Sequence, residues 1–228
     1  MKTPDVITVL LADDHQIVRE GLKSLIESEK GLKVVGEADD GRKAVALTRK
    51  LRPDVVVMDI AMPLLNGLEA TRQIRAEMPE SKVIILSAHS DDAYVQSVMA
   101  MGAAGYLIKQ TSAHVLAEAI RAVHKGGTFF SPSIAKSILH QTRQSLDRKG
   151  LPGGNSTRLT PREAEVLQLV AEGKANKQTA AELGISIKTV EKHRDRVMQK
   201  LDIHDTAGLT RYAIAAGVIE SSVQLTII

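Results

Sequence analysis

The feature that most restricts this chain is an alternation of short apolar runs with amphipathic stretches through its first half. The runs fall at 7–12, 33–38, 55–58, 83–86 and 106–108. Each is β-branched or aliphatic on both faces, the pattern of strands buried between helices in a parallel sheet. Between the runs the spacing turns helical. Ile17, Leu22, Leu25 and Ile26 share one face, as do Leu68, Thr71, Ile74 and Arg75, then Val95, Val98 and Met99. Val115, Leu116, Ala119, Ile120 and Val123 fit a further helix after Ser112. Five strand-then-helix repeats predict an α/β domain, a doubly wound five-stranded parallel sheet with right-handed crossovers.

The alternation stops near Gly126-Gly127. Residues 141–158 are polar and carry Gly150, Pro152, Gly153, Gly154 and Ser156, the composition of a flexible linker, with a short helical stretch at 134–139 before it. Beyond Leu159 only helical patterns occur, four of them and all short. The expected organisation is an α/β domain over 1–127, a partly helical linker over 128–157, and a small all-α four-helix domain over 158–228. Charge follows this division. Residues 1–130 hold 16 Lys/Arg against 17 Asp/Glu, and residues 131–228 hold 14 against 10. Aromatic residues make up 2% of the chain, so the core must be aliphatic. With no cysteine, disulfides and thiolate metal sites are excluded. No apolar run approaches the roughly 20 residues that span a bilayer, and the first residues lack the regions of a secretory signal. The expectation is a cytoplasmic protein with no membrane contact.

Ligand sites of open parallel sheets lie at the carboxyl ends of the strands. The first strand is followed by Asp13-Asp14, the third by Asp59, the fourth by Ser87 and the fifth by Lys109. Taken singly, an Asp after a strand is an ordinary helix cap and a Lys there is a solvated loop charge. Together, at the required ends and in the required order, they describe a site. Three converging carboxylates repel one another, which calls for a divalent cation, and all-oxygen ligation favours Mg²⁺. Carboxylate, cation, Lys109 and the Ser87 hydroxyl form a set that can stabilise a phosphoryl group in transfer.

Residues 5–125 resemble the receiver domain of two-component response regulators, a flavodoxin-like fold. The matching residues are Ala12-Asp13-Asp14-His15, Met58-Asp59-Ile60-Ala61-Met62-Pro63 with Gly67, Ser87-Ala88, and 102–109 ending in Tyr106-Leu107-Ile108-Lys109. The resemblance implies that Asp59 accepts a phosphoryl group from the phosphohistidine of a sensor histidine kinase. It implies that Asp13, Asp14, Asp59 and the backbone carbonyl of Ala61 hold Mg²⁺, and that Ser87 and Lys109 grip the phosphoryl oxygens. Tyr106 is either the aromatic that turns inward with Ser87 or an ordinary buried ring.

Other phosphate chemistry fits less well. Residues 36–43 nearly spell a Walker loop, but Arg42 and Lys43 replace its Lys and Ser/Thr, and two acids sit inside it. No G-x-G-x-x-G follows the first strand. A haloacid-dehalogenase-like phosphatase would need an Asp where Ala61 stands. The expectation is a protein without enzymatic turnover beyond chemistry on its own aspartyl phosphate.

In the second domain Thr160, Pro161 and Glu163 form a helix start with a capping box. The turn at 183–186 joins a short second helix to a third, capped by Ser186, as in a helix-turn-helix. That third helix carries Lys188, Lys192, Arg194, Arg196 and Lys200 against Glu191 and Asp195, a balance suited to the major groove. Residues 158–220 resemble the LuxR-type helix-turn-helix through Leu159–Glu163, Gly173–Lys177, Thr189–Arg194 and Lys200-Leu201. Both halves together resemble the NarL/FixJ class of response regulators. The resemblance implies that Glu191, Lys192 and Asp195 lie at base edges, with Lys177, Lys188, Thr189, Arg194 and Arg196 near phosphates. It further implies a homodimer on activation, formed through Leu209 and Ala213 of a last helix over 206–216, acting on double-stranded promoter DNA. RNA polymerase is left open as a further partner.

Overall fold

Six parallel strands form one sheet in the first part of the chain: β1 (Ile7–Ala12), β2 (Leu32–Ala38), β3 (Val55–Asp59), β4 (Lys82–Ser87), β5 (Gly105–Ile108) and β6 (Phe129–Phe130). Their spatial order is β2-β1-β3-β4-β5-β6. The computed structural model describes residues 6–87, 98, 101–109, 111–130 and 159–219. The chain divides into two units, Met1–Gly154 and Asn155–Ile228. The linker residues 131–158, with the expected helix at 134–139, lie outside the described residues. So does the expected helix through Val95 and Met99, except Val98, which is helical and buried.

Strand alternation sorts the core into two layers. Leu10, Val56, Met58, Val83, Ile85 and Tyr106 point to one face, under helices α2 (Gly41–Leu51) and α3 (Gly67–Glu77). Val9, Leu11, Val55, Val57, Ile84 and Leu107 point to the other, under α1 (Gln16–Glu27) and α4 (Ala113–His124). The doubly wound α/β expectation is met. The strand count is corrected from five to six. β6 has only two residues, Phe129 and Phe130, too short for periodicity to reveal. It pairs with Gly105 and Tyr106 of β5, and its two rings divide between the two core layers. The Walker-like stretch resolves into the end of β2 and the start of α2, where the Asp40 carboxylate accepts from Lys43 N at 2.8 Å as an N-cap.

The loop after β3 is wound tightly. The Ile60 carbonyl accepts from Met62 N and Gly67 N, the Pro63 carbonyl accepts from Leu65 N, and Leu64 takes a left-handed φ of +66°. Gly67 opens α3 directly against the strand: a Cβ there would lie 1.8 Å from the Asp59 carbonyl oxygen. No side chain fits without moving the backbone of Asp59.

The second unit consists of α5 (Pro161–Ala171), α6 (Asn176–Leu183), α7 (Ile187–Leu201) and α8 (Thr206–Ala215). The capping box at Thr160 and Glu163 is present, and Ser186 caps α7 by accepting from Thr189 N. Gly184, at φ +61°, ends α6 in the left-handed conformation that makes the turn tight. The core is Val166, Leu167, Leu169, Val170, Leu183, Val190, Val197, Leu209 and Ala213.

Gly67→Ala is expected to lower receiver stability by at least about 2 kcal/mol through overpacking. Urea unfolding measures this, and a loss under about 0.5 kcal/mol would show that the loop accommodates the methyl group.

Candidate functional site

The strand order reverses between β1 and β3, and the crevice at that switch point lies at their carboxyl ends. Alternation explains which side chains meet there. Asp13 continues the face of Val9 and Leu11, Asp59 that of Val55 and Val57, and Lys109 that of Leu107. All three therefore emerge on one face. Lys109 Nζ lies 2.8 Å from Asp13 Oδ2 and 2.9 Å from Asp59 Oδ2. Ser87 and Tyr106 belong by alternation to the opposite face, and both are buried. Ser87 is tied to the site through its backbone, its carbonyl accepting from Lys109 N at 2.7 Å.

None of the acids caps a helix. The N-cap of α1 is His15, whose side chain makes no cap bond, and that of α3 is Asn66, which accepts from Glu69 N. Asp13 Oδ1 accepts from His15 N at 2.9 Å, Asp59 Oδ1 accepts from Ile60 N at 2.8 Å, and His15 Nδ1 sits 2.7 Å from Asp14 Oδ1. Asp13 and Asp59 are 2% and 3% exposed. Burial is the main reason that the Asp59 carboxyl is pushed up from 3.8 to about 6. The charge of Asp13 adds to the rise, while Lys109 and the Ile60 N–H oppose it. Burial pulls Lys109 down, but the two carboxylates outweigh it and hold its ammonium above the ordinary lysine range.

One ammonium is shared by Asp13 and Asp59, with Asp14 in the same cluster, so the crevice keeps an excess of negative charge. Asp13 Oδ2 is buried and meets Lys109 Nζ at 2.8 Å. Asp13, Asp14, His15 and Asp59 each offer a ligand atom, all within 4.8 Å of one another. A compact cluster of carboxylate oxygens with excess negative charge suits a hard divalent cation. Ala61 lies two residues past Asp59, half-buried in the loop. His15 touches Asp14 in a way that sequence reasoning did not single out. Its place beside the acids was visible, but a histidine at a helix start gives no distinguishing signal.

In the second unit the exposed face of α7 carries Lys188, Glu191, Lys192, Asp195 and Arg196, and Lys177 is exposed on α6. Some of the expected site residues also have partners inside the unit. Arg194 is half-buried and donates to Asn176 Oδ1 and Thr206 Oγ1, which ties α7 to its neighbouring helices. Leu209 and Ala213 are wholly buried, because α8 needs them to seat itself in the core. The exposed large apolar side chains of α8 are Tyr212 and Ile214. Thr189 serves the Ser186 cap with its N–H, and its hydroxyl lies 2.8 Å from Ser186 Oγ.

The receiver-domain family model for response regulators matches residues 9–121, and that for bacterial regulatory proteins of the luxR family matches residues 157–213. The chain belongs to the response regulators that join a receiver domain to a LuxR-type DNA-binding domain. The transcriptional regulatory protein LiaR of Bacillus subtilis (strain 168) is 42% identical over 208 residues, covering 91% of this chain and 97% of LiaR. DegU of Brevibacillus brevis is 38% identical, covering 87% and 89%. Among solved structures, RcsB of Salmonella enterica serovar Typhimurium, bound to promoter rprA with the phosphomimetic BeF3-, shares 26% identity with a TM-score of 0.58, covering 90% and 97%. A LuxR-family response regulator from Aurantimonas sp. SI85-9A1 shares 39% identity and a TM-score of 0.57, covering 60% and 97%. No helix among the described residues is long and apolar enough to cross a membrane.

An acid whose folded pKa is raised loses stability for the fold as pH climbs from its ordinary value through the raised one. Asp59→Asn should therefore stabilise the metal-free protein at pH 7.5. The gain should be about 1–2 kcal/mol, reduced from the full shift because Lys109 loses one of two partners. The advantage should vanish near pH 4. Thermal unfolding in chelator at both pH values checks it, and an unchanged or lowered midpoint at pH 7.5 is the contrary result.

Glu163 supplies the complementary case. Its buried carboxylate accepts from Lys200 Nζ at 2.6 Å and Thr160 N at 2.8 Å. Burial alone would raise it, but these partners win and hold it below its ordinary 4.5. The stability it contributes is present above that value and lost as pH falls through the lowered one. Lys200→Met is expected to cost the C-terminal unit about 2 kcal/mol or more, because the carboxylate stays buried without its cation. Denaturant unfolding of that unit reads the loss, and a cost near zero would count against the pair.

Proposed function

We propose that this chain is a transcription regulator switched by phosphorylation of Asp59, and that a sensor histidine kinase supplies the phosphoryl group. The observation that carries the reading is Lys109 Nζ placed between the buried carboxylates of Asp13 and Asp59. An oxygen of Asp59 attacks the phosphorus of the kinase phosphohistidine. The O–P bond forms as the P–N bond breaks, and the electron pair leaves on the imidazole nitrogen, which takes a proton. Asp13, Asp14, Asp59 and the Ala61 carbonyl would hold Mg²⁺, which supplies positive charge to the acids and to the transferring oxygens. Lys109 releases Asp59 to bind a phosphoryl oxygen, and Ser87 donates its hydroxyl to another. The chain acts only on its own acyl phosphate, which water hydrolyses.

The second unit binds double-stranded promoter DNA. Glu191, Lys192 and Asp195 face base edges, and Lys177, Lys188 and Arg196 face phosphates. The exposure of these residues along α7 and α6 supports the assignment, as does RcsB bound to its promoter. Two RcsB dimers bound to two parallel DNAs support a dimeric active form. Linking two such small units raises affinity through effective concentration. A cytoplasmic location follows from partnership with DNA.

Captured genomic DNA gives the test. Wild type treated with acetyl phosphate and Mg²⁺ should bind selected fragments more tightly than untreated protein, and Asp59→Asn should not respond. Equal response by Asp59→Asn would end the phosphoacceptor reading. On the selected fragment, Arg196→Ala should weaken binding regardless of sequence and reduce the salt slope by about 0.9. Lys192→Ala should relax discrimination at one base position by about 1–3 kcal/mol.

A further inference from the structure

The acidic loop between β1 and α1 has an unusual support. Asp13 lies just past the end of β1, and its N–H donates to the Ala38 carbonyl at 3.1 Å. Its own carbonyl accepts from Arg19 Nη1 at 2.6 Å, one turn into α1. Arg19 is largely buried, 15% exposed at its side chain. Its Nε faces Glu37 Oε2 on β2 at 3.5 Å, and Lys23 Nζ holds the other Glu37 oxygen at 2.7 Å. Glu37 is opposite Leu11 in the parallel ladder. A chain of contacts therefore runs from the sheet through Glu37 and Arg19 to the peptide that joins Asp13 to Asp14.

That peptide decides where the Asp14 carboxylate stands. The Asp14 side chain is one-third exposed, and among the described residues it pairs with His15, whose own side chain is largely exposed. α1 receives no side-chain cap from its N-cap residue. The guanidinium fixes the Asp13 carbonyl, which lies ahead of the helix and outside its hydrogen-bond ladder.

We infer that Arg19 is a positioning residue for the phosphorylation site: by clamping the Asp13 carbonyl against Glu37 it pre-orients the Asp13–Asp14 pair for a divalent cation. The inference rests on the reading of Asp59 as a phosphoacceptor with a cation beside it. It adds a residue that touches neither the cation nor the phosphoryl group. Residues that orient metal ligands typically change affinity by about 10–100-fold when removed, because an unclamped ligand must be ordered at the moment of binding.

The sign of the effect separates this role from a purely electrostatic one. Arg19 is a cation near an acidic cluster, so its charge alone opposes Mg²⁺. A charge-only role makes Arg19→Gln bind Mg²⁺ more tightly; a positioning role makes it bind more weakly.

Isothermal titration of the full chain with Mg²⁺ tests this on wild type, Arg19→Gln, Arg19→Lys and Glu37→Gln. The expected result is about 10-fold weaker binding for Arg19→Gln and a smaller loss for Glu37→Gln. The double variant should lose little more than Arg19→Gln alone, since both act through one clamp. Arg19→Lys, which keeps the charge but not the fork, should stay weakened. Hydrogen exchange in chelator gives a metal-independent readout: the amide of His15 should exchange faster in Arg19→Gln while β3 amides stay protected, which also certifies folding. Unchanged or tighter Mg²⁺ binding by folded Arg19→Gln overturns the inference, as does full recovery in Arg19→Lys. If Arg19→Gln does not fold, Glu37→Gln decides, and unchanged binding there overturns it. Failure of wild type itself to bind Mg²⁺, or phosphoryl labelling of Asp59→Asn equal to wild type, overturns the functional reading instead.

Discussion

The receiver unit depends on a buried conflict of charge at the β1–β3 switch point. Lys109 is one ammonium shared by Asp13 and Asp59, with Asp14 close by, and the crevice stays negative. Burying carboxylates without full compensation is costly. The cost appears as the raised carboxyl of Asp59. At the opposite ends of the strands the sheet tolerates no such conflict. Asp54, just before β3, accepts from both the N–H and the hydroxyl of Thr8. The acids at the two ends of the sheet differ in whether the fold itself satisfies them.

Much of the architecture was legible because it rests on patterns the sequence repeats. Apolar runs on both faces marked β1, β3 and β4, and parity along them places Asp13, Asp59 and Lys109 on one side. The capping box at Thr160 and Glu163 and the turn through Gly184 were equally plain, since each is a local device of a few residues. What escaped was either too short or decided by tertiary packing. β6 is two residues long. The apolar face of α8 was visible as a face, but spacing does not say what covers it, and the domain's own core covers Leu209 and Ala213. Arg194 read as one more cation on a basic helix, yet its partners Asn176 and Thr206 come from two other helices.

The acids of the site show the same limit in sharper form. An Asp just before a helix is a cap by default, and Asp40 before α2 and Asp205 before α8 behave so. Asp13, Asp14 and Asp59 do not, because other residues take the cap positions: His15 begins α1, and Asn66 begins α3 seven residues after Asp59. The tight loop from Ile60 to Gly67 is what separates Asp59 from the helix that it would otherwise cap. Freed from that duty, the carboxylate faces its like-charged neighbours across the sheet edge.

A switch needs two states of nearly equal free energy and a ligand that prefers one of them. On the proposed reading, the unrelieved charge in the crevice would supply the second condition. Relief of repulsion by a cation, or replacement of the Lys109–Asp59 pair by a pair with a phosphoryl oxygen, changes the balance by the amount now held as desolvation and repulsion. A fully neutralised pocket would have no such margin, and its Lys would have no reason to exchange partners. On the proposed reading, the arrangement that makes Asp59 an expensive residue to bury is also the one through which a single modification would act on the surrounding strands. Tyr106 packs on the other face of the sheet, and Ser87 closes β4 opposite Ile108, next to Lys109. The backbone bond from Lys109 N to the Ser87 carbonyl is the direct link by which a shift of Lys109 would reach Ser87.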